Sequence, residues 1–557
     1  MKYVIVGGVA SGATAAARIR RIDEFGHILL LEKGKHISYA NCGIPYHLGG
    51  VIADRAKLFL QTPASFSTRF HLEVRTENEV VGLCPKTKTL TVRSATGSIY
   101  EESYDKLLLA TGATAFMPPI PGMELDGVFP LRTMEDVDGV QNHCATRNVK
   151  KAVVVGSGAN GLEIADNLHR LGMDVSIVEK GNQVVTRVDF AIAAHIQQHL
   201  LQKGAHLYLE QTVQSFERHH NQLKVCLASG LTLLTDMVIV AVGTRPQITL
   251  AQKAGLKLGE AGGVWVDKYL QTSEADIYAA GDVIEFPDPL TQKPLVSFLA
   301  GPANRQAHIA ADNMVFGNVC AYEGFVSTAI ARIFDIVAGT TGTLSKYLTR
   351  MGIPHQTCTI HESSHAGCYP GATPLCIQLA FHPDDGTLYG AQCVGFQGVD
   401  KRLDLLSAVI RCKGTVENLT RVEHAYAPPF SSARDPVAIA GYVATNIINK
   451  VMTPFTWQEV DDIDFETSVL LDVRTPEEVA RGFIQGATFI PIDELRGRLA
   501  ELPKDKTIYV YCAVGRRGYL ATRILQAHGF RAKNLSGGYT TYATCHQLQP
   551  LEDKKGA

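Results

Sequence analysis

Two of the twelve cysteines stand in settings that favour thiolate chemistry. Cys512 ends the apolar run Ile508-Tyr509-Val510-Tyr511. It opens the loop Cys512-Ala513-Val514-Gly515-Arg516-Arg517-Gly518, after which a helix is predicted from Tyr519 to His528. Backbone N–H groups of such a loop, the positive end of the following helix and two arginines make an anion nest around the sulfur. A thiolate held there can accept a sulfane sulfur, and the same N–H groups stabilise the persulfide. Arg517 follows Cys512 by five positions. A cysteine phosphatase needs a loop one residue longer to encircle phosphate, so the spacing points to sulfur. Cys42 lies in Ser38-Tyr39-Ala40-Asn41-Cys42-Gly43-Ile44-Pro45-Tyr46, ahead of another predicted helix whose start is expected to lower the thiol pKa. No CxxC occurs, so a zinc ribbon and a thioredoxin-type dithiol both lack their spacing, and no metal site is expected. The other cysteines read as small buried hydrophobes.

The elements that position these thiols are α/β units. Tyr3-Val4-Ile5-Val6 runs into Gly7-Gly8-Val9-Ala10-Ser11-Gly12, then a helix is predicted over 13–22 and a strand over 28–32. The pattern repeats at Ala152-Val153-Val154-Val155 and Gly156-Ser157-Gly158-Ala159-Asn160-Gly161, with a strand from Val175 to Glu179. In each unit the first glycine makes the turn and the last lets helix and strand pack, so the helix N-terminus can hold a pyrophosphate. Val9 takes the place of the middle glycine in the first unit. Glu32 and Glu179 end the second strands, where a carboxylate bonds ribose hydroxyls and repels a 2′-phosphate; this favours NADH, although Lys180 beside Glu179 leaves NADPH open. Lys33, next to Glu32, belongs to the same expected cofactor contact. Two further apolar strands end in the turns Ala110-Thr111-Gly112 and Val242-Gly243, and a third runs into Gly281-Asp282.

At roughly 150 residues per domain, 557 residues suggest about four domains. The expected architecture is α/β: two Rossmann-like dinucleotide-binding domains, an α+β domain and a C-terminal α/β domain. Residues 1–112 and 245–324 form the first nucleotide domain and 113–244 the second. The α+β region covers 325–445, a linker 446–457 and the last domain 458–550. Apolar residues make up 46% and charged residues 19%, with a formal charge of −2, which is globular and argues against nucleic-acid binding. No apolar run reaches the length of a membrane span, and the first residues read as a strand, not a leader; the expected location is cytoplasmic. Only the tail after Leu551 reads as solvated.

The two dinucleotide units, the Ala110–Gly112 turn and Gly281-Asp282 together resemble the flavin-dependent pyridine nucleotide–disulfide oxidoreductases over residues 1 to 445. The resemblance implies FAD on the first unit, with Glu32 on its ribose and Asp282 on its ribityl chain, and NADH or NADPH on the second. It also implies a homodimer paired through the α+β region. The helix opening Gly301-Pro302-Ala303-Asn304-Arg305 would point its positive end at the flavin. Dithiol members of that family carry a second cysteine where this chain has His47. A single thiol beside a flavin cycles either as a mixed disulfide or persulfide, or as sulfenic acid with peroxide or oxygen.

Peroxidase relatives carry a His in the first glycine loop, where this chain has Ala10 and Ser11. The segment from Ser38 to Tyr46 is similar to the coenzyme A disulfide reductases instead. In those enzymes the residues matching Thr14, Arg18, Arg21, Ser38 and Asn41 hold coenzyme A, and the match to Cys42 is the nucleophile. Phe70 stands where that subgroup has a substrate-binding Lys, with Arg69 adjacent; Asn304 replaces a His and Arg434 a Lys. Tyr369 and Tyr426 match tyrosines that reach the active site from the partner subunit. An exposed helix face for the arginines and interface packing for the tyrosines are the alternatives. Residues 456 to 545 resemble a single-domain rhodanese. The combination resembles NADH-dependent persulfide and polysulfide reductases, with a small-molecule persulfide, polysulfide or CoA disulfide as substrate. An NADH oxidase or peroxidase, and a redox-responsive sulfur carrier, are the competing readings.

Overall fold

The computed structural model describes residues 1–548, so positions 549–550 of the expected last domain and the tail after Leu551 lie outside the described residues. The chain forms two compact units. One comprises Met1–Lys180 with Gln211–Phe325, the other Gly181–Glu210 with the chain from Val326 onward. Within the expected 113–244 stretch, residues Gly181–Glu210 therefore pack with the second unit.

The first unit holds a parallel sheet in the order Ile277–Ala279, Lys106–Leu109, Lys2–Val6, His27–Leu31, Glu73–Arg75. Its central strands are continuous apolar runs because both faces are covered. The crossover helix Ala10–Ile22 lays Ala13, Ala15, Ala16 and Ala17 into the core and packs on helix Ala300–Phe316, which buries Ala303, Ala307, Ala310 and Ala311. Small residues on both faces permit that close approach. A second parallel sheet places Asp174–Val178, Lys151–Val155, Met237–Val240 and Val128–Phe129 side by side.

Gly12 is set by geometry: a Cβ there would lie 1.7 Å from the Gly7 carbonyl oxygen. Gly158 differs, with φ −63° and open space where its Cβ would go. Val9 keeps φ at −93°, so a β-branched residue fits the loop. Two contrasting outcomes follow. Gly12→Ala is expected to lower the flavin-to-protein ratio of the purified chain about tenfold or more, because the turn itself must open. Gly158→Ala leaves the fold intact and raises the KM for NADH about tenfold at similar kcat, by crowding a phosphate approach. Absorbance spectra and steady-state kinetics check both.

The second unit contains an antiparallel sheet in the order Ala329–Ile333, Ile336–Gly342, Leu388–Gly395, Pro374–Phe381, Gln356–Ser363. Helices Val399–Arg411 and Pro436–Ile448 cover one face through Leu403, Leu406, Val437, Ala440 and Ala444. Between them Arg402 and Asp435 form a buried pair at 2.9 Å, and Arg402 also donates to the Ser364 carbonyl. Helix Phe190–Gln202, buried over most of its circumference, packs on the sheet, and Asp189 and Gln392 exchange two hydrogen bonds.

The same unit holds a parallel sheet in the order Pro454–Phe455, Arg531–Leu535, Thr507–Tyr511, Ser468–Asp472, Thr488–Phe489. Cys512 follows its central strand, on the carboxyl side where the strand order reverses, the usual place for a ligand in such sheets. Among the described residues no helix is long and apolar enough to cross a membrane.

Candidate functional site

A cavity of about 1200 Å³ opens beside the first glycine turn, larger than the roughly 300–1,000 Å³ of ordinary small-ligand pockets. Gly7, Glu32, Lys33, the Ala110-Thr111-Gly112 turn and Asp282 line it, and so do Ser38, Asn41 and Cys42. The Glu32 carboxylate, buried at the strand end, accepts from the N–H groups of Gly8 and Gly34, both at 2.7 Å. Those bonds hold it at the loop with lone pairs to spare. Helix Ala300–Phe316 starts at the wall, so its positive end faces the cavity through Ala300, Ala303 and Asn304. These features fit a flavin dinucleotide: a bare glycine turn, an anchored carboxylate and a helix start on one cavity. In the second glycine turn Glu179 plays the matching part, accepting from Ser157 N–H at 2.9 Å and from its hydroxyl at 2.7 Å. Gly156 and Gly243 have left-handed φ of 100° and 115°, and Gly161 would drive a Cβ to 2.1 Å from the Gly156 carbonyl oxygen.

Cys42 sits in a single turn of 3-10 helix, Asn41–Gly43, and is exposed. The short helix after it, Ile44–Leu48, does not lower the thiol pKa as the sequence suggests. Burial of the sulfur's surroundings pushes the pKa up, the carboxylates of Glu163 and Asp282 add to the rise, and Arg132 opposes them. A five-residue helix offers little dipole against partial desolvation of the sulfur and the charge of two carboxylates. Glu163, on helix Ala159–Arg170, accepts a hydrogen bond from Tyr46 Oη at 3.1 Å, and burial raises its own pKa. Asp282 pairs with Arg132 at 3.0 Å; burial raises its pKa against that pairing. Glu163, Tyr46 and Arg132 are thus parts of the site that motif reading missed. The available signal was position: Glu163 follows Gly161 by two residues, at the start of the nucleotide helix. His47 is buried, with Nδ1 2.7 Å from the Ile52 carbonyl oxygen. Removing the Glu163 charge favours thiolate, so Glu163→Gln should shift the pH profile of Cys42 alkylation by iodoacetamide about one unit lower. Arg132→Gln should shift it upward. Mass spectrometry of the Cys42 peptide reads both.

The expected CoA-binding residues divide. Thr14 donates to Asn304 Oδ1 at 2.6 Å, and both line the cavity. Arg21 also lines it, with its guanidinium 5.3 Å from the Phe70 ring centroid. Arg18 turns away and pairs with Asp312 at 2.7 Å. Three helical residues leave the two side chains only about 60° apart around the axis, so it is the pairing with Asp312 that draws Arg18 off the wall. Arg69 is exposed and lies off the cavity wall, so it does not stand in there for the missing lysine. Tyr369, Tyr426 and Arg434 belong to the second unit and are exposed on it, the tyrosines at 45% and 53%.

In the second thiol loop, Gly515 in a left-handed turn aims its N–H at the Cys512 sulfur, 3.2 Å away. The loop is held by two bonds from the next element: Tyr539 N–H to the Cys512 carbonyl and Thr540 N–H to the Ala513 carbonyl. Helix Arg516–Ala527 begins immediately after it. The expected pair of arginines splits here too. Arg516 pairs with Glu362. Arg517 makes a two-pronged pair with Glu478, at 2.6 and 2.8 Å, and its pKa is raised first by Glu478 and further by Cys512. The Glu478 carboxyl is pulled down to about 2, chiefly by that bond. One arginine, not two, therefore serves the sulfur. Beneath the loop, Asp472 and Arg474 form a buried pair at 2.7 Å, capped by the Tyr539 ring with its centroid 4.1 Å from the guanidinium.

Residues 1–311 match the family model for pyridine nucleotide-disulphide oxidoreductases, more than half of the chain. The chain belongs to that family. In this oxidoreductase, residues 456–545 also match the rhodanese-like domain. It is 34% identical over 447 residues to a coenzyme A disulfide reductase of Staphylococcus haemolyticus, covering 80% of this chain and all of the relative. Among solved structures, reduced Bacillus anthracis CoADR-RHD matches with TM-score 0.96 at 42% identity, over 98% of both chains. A NAD-dependent persulfide reductase from A. fulgidus matches with TM-score 0.91 at 34% identity, over 97% of this oxidoreductase and all of that chain.

Proposed function

We propose that this oxidoreductase uses NADH to reduce CoA disulfide, small persulfides or polysulfide through Cys42, and that Cys512 supplies sulfane sulfur. The carrying observation is an exposed thiol on the wall of a dinucleotide cavity in a chain whose cysteines, among the described residues, are all free. Such a thiol takes its redox partner from a small molecule.

The Cys42 thiolate attacks a disulfide or persulfide sulfur. One S–S bond breaks, a Cys42 mixed disulfide or persulfide forms, and a thiolate or hydrosulfide leaves. The first glycine turn and Glu32 would place FAD, whose chemistry when bound would be to relay two electrons from NADH to the Cys42 mixed disulfide or persulfide, breaking its S–S bond to give back the Cys42 thiolate and a second thiolate or hydrosulfide. Glu179 and the second turn would hold NADH and repel a 2′-phosphate. Glu163, with its raised pKa and Tyr46 beside it, can hold the proton that the thiol releases. Arg132 offsets the negative charge that develops on the sulfur. Thr14, Asn304 and Arg21 form the part of the cavity wall that would meet coenzyme A, Arg21 through its phosphates.

The second unit, with exposed Tyr369, Tyr426 and Phe430, supports a homodimer in which the tyrosines approach the partner's thiol. Light scattering tests the dimer. Mass spectrometry of the untreated protein tests the function: FAD should travel with the chain and Cys42 should carry an adduct of CoA or persulfide mass. A Cys42 disulfide to another protein cysteine would overturn the reading.

A further inference from the structure

The second unit gathers three soft and borderline donors besides Cys512. Strands Gln356–Ser363 and Pro374–Phe381 run antiparallel with His361 directly opposite Cys376, so the two side chains leave the same face of the sheet. Helix Phe190–Gln202 brings His195 over them, its ring centroid 5.7 Å from that of His361. One ligand atom from each of the three residues lies within 4.8 Å of the others. We propose that His195, His361 and Cys376 bind a thiophilic d10 cation, Zn2+ or Cu+, that clasps helix and sheet together.

The donor set decides the metal class. Two imidazoles and a thiolate suit Zn2+ and Cu+, whereas Mg2+ and Ca2+ require oxygen ligands. The hydrogen bonding around the cluster prepares the donors. His361 Nε2 lies 2.7 Å from Thr541 Oγ1, and that hydroxyl has the Gly537 carbonyl at 3.3 Å as an acceptor. Thr541 thus donates to Gly537 and accepts from Nε2–H, which leaves Nδ1 of His361 unprotonated. A histidine fixed through its second nitrogen is the usual outer-shell arrangement of a metal ligand. Among the described residues the His195 ring nitrogens have no hydrogen-bond partner, while burial pushes that imidazole down to about 4 and His361 to about 3. Burial pushes the Cys376 thiol up, so a cation must displace its proton. Cys545, buried on helix Gly538–Leu548, is near enough to act on Cys376 by its charge.

The test uses the full-length protein carrying Cys42→Ser and Cys512→Ser, so that the two reactive loops do not bind metal themselves. After equilibration with Zn2+, or anaerobically with Cu+, and removal of free metal, elemental analysis should find about one equivalent per chain. Which of the two ions is retained identifies the cation. With Co2+ as an optical probe, tetrahedral visible bands and a sulfur-to-cobalt charge-transfer band are expected. Cys376→Ala should remove the charge-transfer band and lower the affinity at least about tenfold; Thr541→Ala should weaken binding about 10–100-fold while keeping the band. If Cys376→Ala loses its flavin or its circular dichroism, His195→Gln serves in its place, with loss of affinity expected. Only trace metal in the parent protein, or equal uptake by parent and variants, would overturn the proposal.

Discussion

Cys42→Ser is expected to abolish NADH-driven reduction of CoA disulfide and of CoA persulfide, lowering kcat by about 10⁴-fold or more, while FAD stays bound. The size of the loss follows from the chemistry. The thiolate is the atom that forms the new S–S bond, and a serine hydroxyl neither ionises near neutral pH nor exchanges with a disulfide. The selectivity follows from the fold. Cys42 is exposed in a single 3-10 turn, and the sheet core beneath the flavin site is built from Val4, Ile5, Leu29, Leu30, Leu107 and Leu108. An isosteric serine disturbs none of those contacts. Stopped-flow mixing with NADH should bleach the flavin once, after which persulfide should fail to restore its absorbance. Retained multiple turnover would remove Cys42 from the mechanism. Oxygen consumption by the unmodified enzyme faster than its persulfide turnover would replace the proposal with an oxidase that cycles sulfenic acid.

Much of this site is legible in the sequence because its carriers are local. The glycine turns, the acidic strand ends and both cysteine loops are runs of fewer than ten residues whose types dictate a backbone shape. Helix boundaries were less legible. The helix predicted from Ala13 begins at Ala10, and the one predicted from Tyr519 begins at Arg516. In both cases the first turn carries a glycine, Gly12 or Gly518, which weakens the local helix signal, and tertiary contacts impose the helix. What stayed hidden depends on distant segments. Glu163 meets Tyr46 across 117 positions, Arg132 meets Asp282 across 150, and Arg18 is drawn to Asp312 across 294. Those encounters set the pKa of Cys42 and divide the arginine pair, and no local pattern announces them. The docking of helix Phe190–Gln202 on the antiparallel sheet is of the same kind.

Cys512→Ser should separate the two thiols. Sulfane transfer from a bulky donor or from elemental sulfur is expected to fall by about 10³-fold or more, because the sulfur accepts the cargo directly. NADH-driven reduction of a small soluble persulfide should stay within about twofold of the parent, since Cys42 alone makes that bond. The loop geometry supports the first half of this expectation. The sulfur is buried at the end of the central strand, faces the Gly515 N–H and lies within the field of Arg517. Those donors have no function for a hydroxyl that stays neutral. The loop's shape does not depend on the sulfur, because Tyr539 and Thr540 hold its carbonyls and Gly538 leaves room for them. A serine variant should therefore unfold within about 2 °C of the parent. Glu478→Gln provides a graded companion: it frees Arg517 from its two-pronged pair, so the guanidinium can lean further toward the sulfur and sulfane transfer should rise. Equal losses of transfer and of persulfide reduction in Cys512→Ser would show that the two thiols act as one site, and the relay from Cys512 through a carrier thiol to Cys42 would have to be abandoned.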